Sequence, residues 1–126
     1  MKATATRESG FRHTVKIRSH ELAVDERAEV GGTDTAPEPL ELLAASLASC
    51  TAVTMEMYAQ RKEWPLEGVD VKVDYTAKPT PSFVKHITMR GPLDDRQKAR
   101  MLEIAELCPV AKLLKSGVAM ESRLAE

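Results

Sequence analysis

The two cysteines are the residues of this sequence with the most distinctive chemistry. Cys50 lies in the middle of an uncharged stretch, 42–55, and Cys108 directly precedes Pro109. A thiolate is the form of cysteine that attacks oxidants and electrophiles, and nearby positive charge favours it. Cys50 is expected in mid-helix, away from such charge, whereas Cys108 is expected at a helix start, where free N–H groups favour a thiolate. Local physical chemistry therefore predicts that Cys108 is the more acidic thiol.

The two thiols could equally be inert. Free cysteine is among the residue types most often found buried, and a single cysteine on an apolar helix is usually part of the core. Met55 and Met57, which follow Cys50, are likewise more simply explained as core than as an oxidation-sensing or ligand-binding group. The residues alone leave a reactive pair and a passive pair as open alternatives.

Other kinds of chemical site find little support in the sequence. His13, His20 and His86 fall on separate predicted strands or turns, and neither a Cys-x-x-Cys nor a His-Glu-x-x-His spacing occurs. The pair Gly31-Gly32 lacks the surrounding pattern of a phosphate-binding or dinucleotide-binding loop. We therefore predict neither a metal site nor a bound cofactor.

Length, composition and charge limit the class of protein. The 126 residues predict a single domain, 1–126, and the apolar fraction of 43% is too high for a disordered chain. The formal net charge of -1 gives no electrostatic reason to expect nucleic acid or an anionic membrane as a partner. The start of the chain lacks the apolar segment of a secretory signal, and the uncharged stretch of about 14 residues is shorter than a membrane span. We expect a cytoplasmic protein, in which two cysteines do not form a disulfide scaffold.

Alternating side chains predict three short antiparallel strands at the start of the chain. The predicted segments are 2–8, 12–19 and 20–26, with bends at Ser9-Gly10 and Ser19-His20. Segment 29–39 holds two glycines and two prolines and is predicted to be a loop that leads into a long helix over 41–62. Pro39 suits the first helical turn, where its missing N–H costs nothing.

The second half of the chain predicts two more strands and a broken helix. The strands are expected at 69–78 and 82–91, and Asp94 with Gln97 forms a capping-box pattern at the next helix start. Pro109 interrupts that helix, and a short helix over 109–116 and a last strand over 118–125 follow. This order predicts an α+β fold, in which an antiparallel sheet packs with a long central buried helix and a second, broken helix.

The long helix also predicts a partner. It is apolar nearly all the way round, and one domain of this size has difficulty in covering such a helix completely. Small residues are frequent between Ala44 and Ala52 and would allow another helix to approach closely. We therefore expect a homodimer in which the long helices of two copies pack together.

Two signatures give the chain a resemblance to a known family. The first is Pro39, Glu41 and Leu42-Leu43 followed by small residues and Cys50-Thr51, and the second is Cys108-Pro109-Val110 followed by Lys112. Both resemble the OsmC/Ohr family, the osmotically inducible and organic hydroperoxide resistance proteins, here in an OsmC-like branch. The strand order and the glycine-containing loop extend the resemblance over nearly the whole chain. It implies an intertwined homodimer with the two long helices at its centre and active sites at the subunit interface.

The resemblance further implies a cysteine-based peroxidase that needs no metal, haem or flavin. An organic hydroperoxide would oxidise Cys50, the peroxidatic cysteine, to a sulfenic acid, and Cys108 would resolve it to a disulfide. A dithiol reductant, for example of lipoyl type, would then restore both thiols by exchange. These roles oppose the local argument that favours Cys108, because charge from elsewhere in the fold can outweigh a helix end.

An arginine and a glutamate complete the site that the resemblance implies. An arginine from the N-terminal strands would activate Cys50, and Arg12 is the best match, with Arg7, Arg18 and Arg27 as alternatives. In well-characterised peroxidases of the family a glutamate directly follows the helix proline and orients the arginine. Here Leu40 follows Pro39, so the acid is Glu41, turned by about 100° around the helix, and Glu38 is a possible substitute.

Two main hypotheses result. The first is a thiol peroxidase that reduces organic hydroperoxides in oxidative stress defence, and the alternative is a non-catalytic OsmC-like binding or structural dimer with passive core thiols. The shifted glutamate motivates the alternative. A third hypothesis is a thiol enzyme that handles electrophiles or sulfur compounds at the same site.

Overall fold

The computed structural model describes residues 1–125 and contains two compact units, Met1–Leu43 and Ala44–Glu126. Each unit is described by itself below. The single domain expected from the chain length stays a prediction.

The first unit is built on a three-stranded antiparallel sheet. Its strands are β1 (Thr4–Ser9), β2 (Arg12–Ile17) and β3 (His20–Val24), in the order β1-β2-β3. Gly10 and Arg18, in the two connecting turns, both have positive φ angles, of 55° and 53°. Such left-handed positions permit tight reversals between antiparallel strands. The three predicted strands are confirmed, and the two turns, at Gly10-Phe11 and Arg18-Ser19, each lie one residue from the predicted bend.

The loop after β3 is fastened by a buried carboxylate, Asp25, which is 1% exposed. Its oxygens accept hydrogen bonds from the backbone N–H groups of Glu26 (2.8 Å) and Thr35 (3.1 Å) and from the hydroxyls of Thr33 and Thr35. The hydrogen bond from Thr33 is the main reason that the pKa of Asp25 lies well below its ordinary value, although burial opposes the shift. A buried carboxylate with four donors holds the loop in one conformation.

The long helix α1 (Pro39–Lys62) begins at Pro39, as the sequence predicts, and runs for 24 residues. Its buried side chains recur every four residues and so form one stripe: Leu47, Thr51, Met55 and Ala59. Several large apolar side chains elsewhere on the helix stay exposed, among them Leu40 (47%), Val53 (51%) and Met57 (64%). Within one copy of the chain, α1 is therefore buried along a stripe rather than all the way round.

By length and composition alone, α1 also meets the minimum for a membrane span, with a mean hydropathy of 1.3 over 18 residues. Core helices of soluble proteins pass the same test. The expectation that the protein has no membrane partner stays a prediction.

The second unit packs a two-stranded antiparallel sheet with helices. Strands β4 (Gly68–Thr76) and β5 (Ser82–Arg90) pair along their whole length, with Val73 opposite Lys85. Alternate residues of β5 are less exposed than their neighbours, and these are Phe83, Lys85, Ile87 and Met89. The core between sheet and helices consists of buried Met55, Ala59, Val69, Met101 and Ala105. Both predicted strands are confirmed.

The broken helix is also confirmed. Helix α2 (Asp95–Ala105) starts at the predicted capping box, in which Gln97 N donates to the Asp94 carboxylate (2.7 Å) and Asp94 N donates to Gln97 Oε1 (3.0 Å). Helix α3 (Pro109–Ser116) follows, with Cys108 at its N-cap and Gly117 at its end.

The prediction of a last strand over 118–125 is wrong. This segment has no regular secondary structure, and its apolar side chains are exposed, including Met120 (91%) and Leu124 (92%). A strand needs a partner to accept and donate its ladder hydrogen bonds, and within residues 1–125 no strand pairs with this segment. The short alternation of apolar and polar residues in this segment does not indicate whether another strand lies beside it.

Candidate active site

The fold brings the two cysteines together. Cys50 is half-buried on α1, Cys108 is fully buried before α3, and both are free thiols. Cys50 packs against a small buried cluster made of Leu47, Cys108 and Ala111, and its side chain helps to lower the pKa of the Cys108 thiol. The two residues are 58 positions apart in the sequence, so this contact is produced by tertiary packing alone.

Cys108 occupies the N-cap of α3 and uses its sulfur as the cap. The backbone N–H of Ala111 donates to Cys108 Sγ at 3.3 Å. The first N–H groups of a helix have no partner within the helix, and together they carry a partial positive charge. Pro109 at the first helical position fixes the backbone at this start. The sequence thus places the Cys108 sulfur where a negative charge is favoured.

Thr51 is the second polar contact of Cys108. Its side chain is fully buried, and Oγ1 lies 3.5 Å from Cys108 Sγ. The same hydroxyl is 2.8 Å from the carbonyl oxygen of Leu47, one turn earlier on α1. Because Thr51 directly follows Cys50, one turn of α1 presents a thiol and a hydroxyl to the same buried sulfur.

A cation also lies at this cluster. Lys85 Nζ donates to the carbonyl oxygen of Ala105 at 2.8 Å and to Thr51 Oγ1 at 3.4 Å. Ala105 is the last residue of α2, and the carbonyl end of a helix attracts a positive charge. Sequence reasoning missed Lys85. The available signal was its position on β5, where it takes an inward place between Phe83 and Ile87 in an otherwise apolar alternation.

These contacts set the ionisation of Cys108. Burial is the largest single effect and raises the pKa of the thiol. The hydrogen bonds from Thr51, Ala111 and Cys50, with the positive charge of Lys85, act in the opposite direction, and the resulting pKa of Cys108 lies below its ordinary value. A lowered pKa is the direction that the helix start predicts for this thiol.

The predicted arginine and glutamate lie in the first unit and have different partners. Arg12 Nη1 donates to Thr35 O (3.0 Å) and Oγ1 (2.9 Å), and Arg12 Nε pairs with Glu8 (3.3 Å). Glu41 accepts a hydrogen bond from the backbone N–H of Glu38 at 2.9 Å.

Arg27 is the arginine that pairs with the acids at the start of α1. Its Nε lies 2.9 Å from Glu38 Oε1, and its Nη2 lies 3.6 Å from Glu41 Oε2. The charge of Glu38 first, and then that of Glu41, raises the pKa of Arg27. Of the four arginines considered from the sequence, Arg27 therefore pairs with both of the acids considered there, Glu38 and Glu41.

An apolar groove of about 750 Å³ adjoins the thiol cluster within the second unit. Leu47 and Ala111, which pack in the cluster, also line this groove. Other lining residues include Phe83, Val84, Lys85, Leu102 and Leu114. Lys115 and Glu106 lie at the same groove and pair with each other at 2.7 Å. Such a groove can hold an apolar molecule next to the cluster that contains the thiols.

Residues 1–125 contain no cluster of three or more His, Cys, Asp or Glu side chains with the spacing to hold a metal ion.

Comparison with solved structures identifies the fold. A protein from Psychrobacter arcticus, named for osmotic stress and detoxification, is 27% identical, with a TM-score of 0.76 over 89% of this chain and 86% of that chain. An OsmC-like protein from Mycoplasma pneumoniae is 18% identical, with a TM-score of 0.78 over 90% and 86%. An organic hydroperoxide resistance protein from Legionella pneumophila is 22% identical, with a TM-score of 0.62 over 89% and 88%.

No curated protein matches the sequence. The family model described as "OsmC-like protein" matches residues 32–123, which include α1 and both cysteines. The fold agrees with that of the solved OsmC-like proteins, namely a mixed α+β arrangement of antiparallel sheets and three helices. The chain therefore belongs to the OsmC-like family.

Proposed function

We propose that this protein is a cysteine-based thiol peroxidase that reduces organic hydroperoxides and so contributes to oxidative stress defence. The observation that carries the proposal is the contact between the free thiols of Cys50 and Cys108 beside an apolar groove. Two neighbouring free thiols are what a two-cysteine redox cycle requires, because the oxidised sulfur of one must be reached by the other.

The first step of the cycle would take place at Cys50, which is less buried than Cys108. The Cys50 thiolate attacks the terminal oxygen of the hydroperoxide, an S–O bond forms, and the O–O bond breaks. The alkoxide leaves and takes a proton to become an alcohol, and Cys50 is left as a sulfenic acid. The half-buried position of Cys50 gives a peroxide access, whereas Cys108 is closed to solvent.

The remaining steps return the enzyme to its starting state. Cys108 attacks the sulfenic sulfur, a disulfide forms, and hydroxide leaves as water. A dithiol reductant, for example of lipoyl type, then reduces this disulfide by two exchange reactions and becomes a cyclic disulfide itself. The two thiols supply both of the electrons that reduce the peroxide, so the cycle needs no metal or cofactor.

The apolar groove supports an organic rather than an inorganic peroxide. A hydrocarbon chain gains free energy by leaving water for an apolar groove, and hydrogen peroxide has no such surface to bury. The name of the Legionella relative, an organic hydroperoxide resistance protein, agrees with this substrate class.

A homodimer and a cytoplasmic location are part of the proposal. The exposed apolar side chains of α1, such as Val53 and Met57, would be covered by the same helix of a second copy. Sedimentation or light scattering at micromolar concentration tests this, and a monomeric mass would contradict it.

The activating arginine is proposed from the resemblance. Arg12 is the best match by sequence, but the ion pairs of Arg27 with Glu38 and Glu41 favour Arg27 for the role. In this protein the glutamate one position beyond the expected place still pairs with an arginine, which weakens the argument that its shift abolishes activity.

Activity assays with cysteine variants test the function. Consumption of cumene hydroperoxide with dihydrolipoamide is expected for the native protein, and Cys50→Ser is expected to abolish it. Ser49→Ala is a matched control, because Ser49 is exposed and, within residues 1–125, its hydroxyl bonds to carbonyl oxygens of its own helix. Turnover by Cys50→Ser at the native rate would refute the assignment.

Mass spectrometry separates the peroxidase from a binding or structural dimer with passive thiols. After one equivalent of hydroperoxide, the peroxidase is expected to lose two hydrogens and to yield a Cys50–Cys108 crosslinked peptide. An unchanged mass with slow alkylation of both thiols would instead support the passive role.

A further inference from the structure

Lys85 is a cation on the apolar side of a sheet, and its surroundings give it a specific partner. Its ammonium group reaches the last carbonyl of α2, at Ala105, and the buried hydroxyl of Thr51. Within residues 1–125 it belongs to no ion pair with a carboxylate, since nearby Glu106 pairs with Lys115 instead. The hydrogen bond from Lys115 is the main cause that lowers the pKa of Glu106, and the charge of Lys85 adds to it, but Glu106 is not in ion-pair contact with Lys85. A half-buried ammonium group is stabilised further by a neighbouring group that can carry negative charge.

The group that can supply it is Cys108. Thr51 Oγ1 lies between the two, 3.4 Å from Lys85 Nζ and 3.5 Å from Cys108 Sγ. The other groups that face Cys108 are the Cys50 thiol from α1 and the Ala111 N–H from α3. Burial raises the pKa of Cys108, whereas each of these groups, like Lys85, lowers it. On the side of α2, the carboxylate of Glu106 interacts with Lys85 and pairs with Lys115.

The Thr51 hydroxyl can respond to that charge. It has one proton and cannot donate to Leu47 O and to Cys108 at the same time. With Cys108 as a thiol, the hydroxyl donates to Leu47 O and accepts the S–H. With Cys108 as a thiolate, it turns to donate to sulfur, while its oxygen still accepts from Lys85.

We propose that Lys85 is a positioning residue that, through Thr51, holds Cys108 as a thiolate ready to attack the oxidised sulfur of Cys50. The proposal deepens the proposed function, on which its catalytic consequence rests. In that step the Cys108 thiolate forms the S–S bond, the S–O bond of the Cys50 sulfenic acid breaks, and hydroxide leaves. The proton that Cys108 released to solvent when it ionised neutralises this hydroxide to water. Lys85 touches no reacting atom, and it acts on the ionisation of Cys108.

A purely structural role for Lys85 makes a different prediction. If Lys85 only fastens the end of α2 to β5, its replacement changes stability but not the pH at which Cys108 ionises. The pH profile of Cys108 reactivity therefore separates the two roles. This measurement can be made whether or not the protein is a peroxidase.

The first experiment measures alkylation of Cys108 by iodoacetamide against pH in the Cys50→Ser protein. Adding Lys85→Gln is expected to move the profile to higher pH and to slow alkylation at pH 7 severalfold, because a neighbouring positive charge favours the thiolate. Lys85→Arg keeps the charge and is expected to restore most of the rate. Lys72→Gln is the matched control, because Lys72 is a strand lysine whose ammonium pairs with Asp74 at 3.6 Å.

An identical pH profile for the parent and Lys85→Gln would overturn the proposal, whether or not the protein is a peroxidase. Should Lys85→Gln fail to fold by circular dichroism, Thr51→Val provides the second test, and it is expected to shift the profile in the same direction. An unshifted profile for a folded Thr51→Val protein would also overturn it.

The second experiment tests the catalytic consequence with Cys50 intact. After one equivalent of cumene hydroperoxide, Lys85→Gln is expected to accumulate more dimedone-trapped sulfenic acid at Cys50 and to form the disulfide severalfold more slowly at pH 7. Equal rates of disulfide formation would refute the catalytic role. Absence of any oxidation in both proteins would instead count against the proposed function, with the alkylation result unaffected.

Discussion

Oxidation of Cys50 and Cys108 to a disulfide is expected to stabilise the folded protein by about 4 kcal/mol. The value follows from the 58 positions that separate the two residues, because a crosslink over a loop of that length removes much of the conformational entropy of the unfolded chain. Cys50 already packs against the buried cluster that contains Cys108 in the reduced protein, so we expect the bond to close with little distortion of the fold.

The assay compares urea unfolding of the reduced and the oxidised protein. Intact mass first establishes that each sample is fully reduced or fully oxidised. With a slope of about 2 kcal/mol per molar urea, a stabilisation of about 4 kcal/mol moves the unfolding midpoint by about 2 M. Cys108→Ser, treated with the same peroxide, is the control and is expected to show no such shift.

The same number predicts the ease of reduction. By linkage, a disulfide that stabilises the fold by about 4 kcal/mol also forms more favourably in the folded protein than in the unfolded chain. The equilibrium constant for its formation is about a thousandfold larger in the folded protein. Titration with a dithiol in the absence and presence of denaturing urea measures this ratio.

A midpoint that does not move, or that falls, in a sample whose mass proves the crosslink would refute the reasoning. It would mean that the bond strains the helices that carry the two cysteines, and the contact in the reduced protein would then not be the geometry of a working redox pair.

Three further predictions concern other parts of the molecule. Arg27→Lys is expected to lower kcat/KM for cumene hydroperoxide at least about tenfold, because a lysine lacks the planar fork that binds two carboxylates. Arg12→Lys is expected to lower kcat/KM less. A larger loss for Arg12→Lys would indicate that Arg12 is the activating arginine. Asp25 has a lowered pKa, so its contribution to stability is complete above the ordinary carboxyl pKa of about 4 and is lost as the pH falls below it. Asp25→Asn is therefore expected to lower the urea midpoint at pH 7 and to approach the native protein below about pH 4, and a difference that grows with acidity would contradict this. Met101 is a fully buried core residue, and Met101→Ala is expected to lower the free energy of unfolding by about 2–5 kcal/mol. Leu102→Ala, at the half-exposed neighbouring residue, is expected to lower it much less. Equal losses for the two variants would contradict the position of the core.

Much of the local structure could be predicted from the sequence. The alternation in β4 and β5, the capping box of Asp94 and Gln97, and the proline that opens α1 each depend on residues a few positions apart. Such signals are strong because one hydrogen bond or one repeat decides them. The family was recognisable for the same reason, since each of its two signatures is a short run of neighbouring residues.

The segment 118–125 shows where local patterns fail. Its residues read as a weak strand, but strand formation is decided by the presence of an edge to pair with, and the segment itself carries no information about that edge. The pairing of Glu41 with Arg27 rather than with Arg12 is a similar case, because it depends on how the loop fastened by Asp25 returns to the start of α1.

By itself, then, the sequence determined which elements form, which two residues could do redox chemistry, and that a helix start favours a thiolate at Cys108. Only the tertiary structure decided that Cys50 contacts Cys108, and that Thr51 and Lys85 complete the surroundings of that thiol. The physical reason is that both facts depend on the registers in which α1 and α2 pack on β5. Those registers are set by the fit of buried side chains from distant segments, which no local spacing of residues encodes.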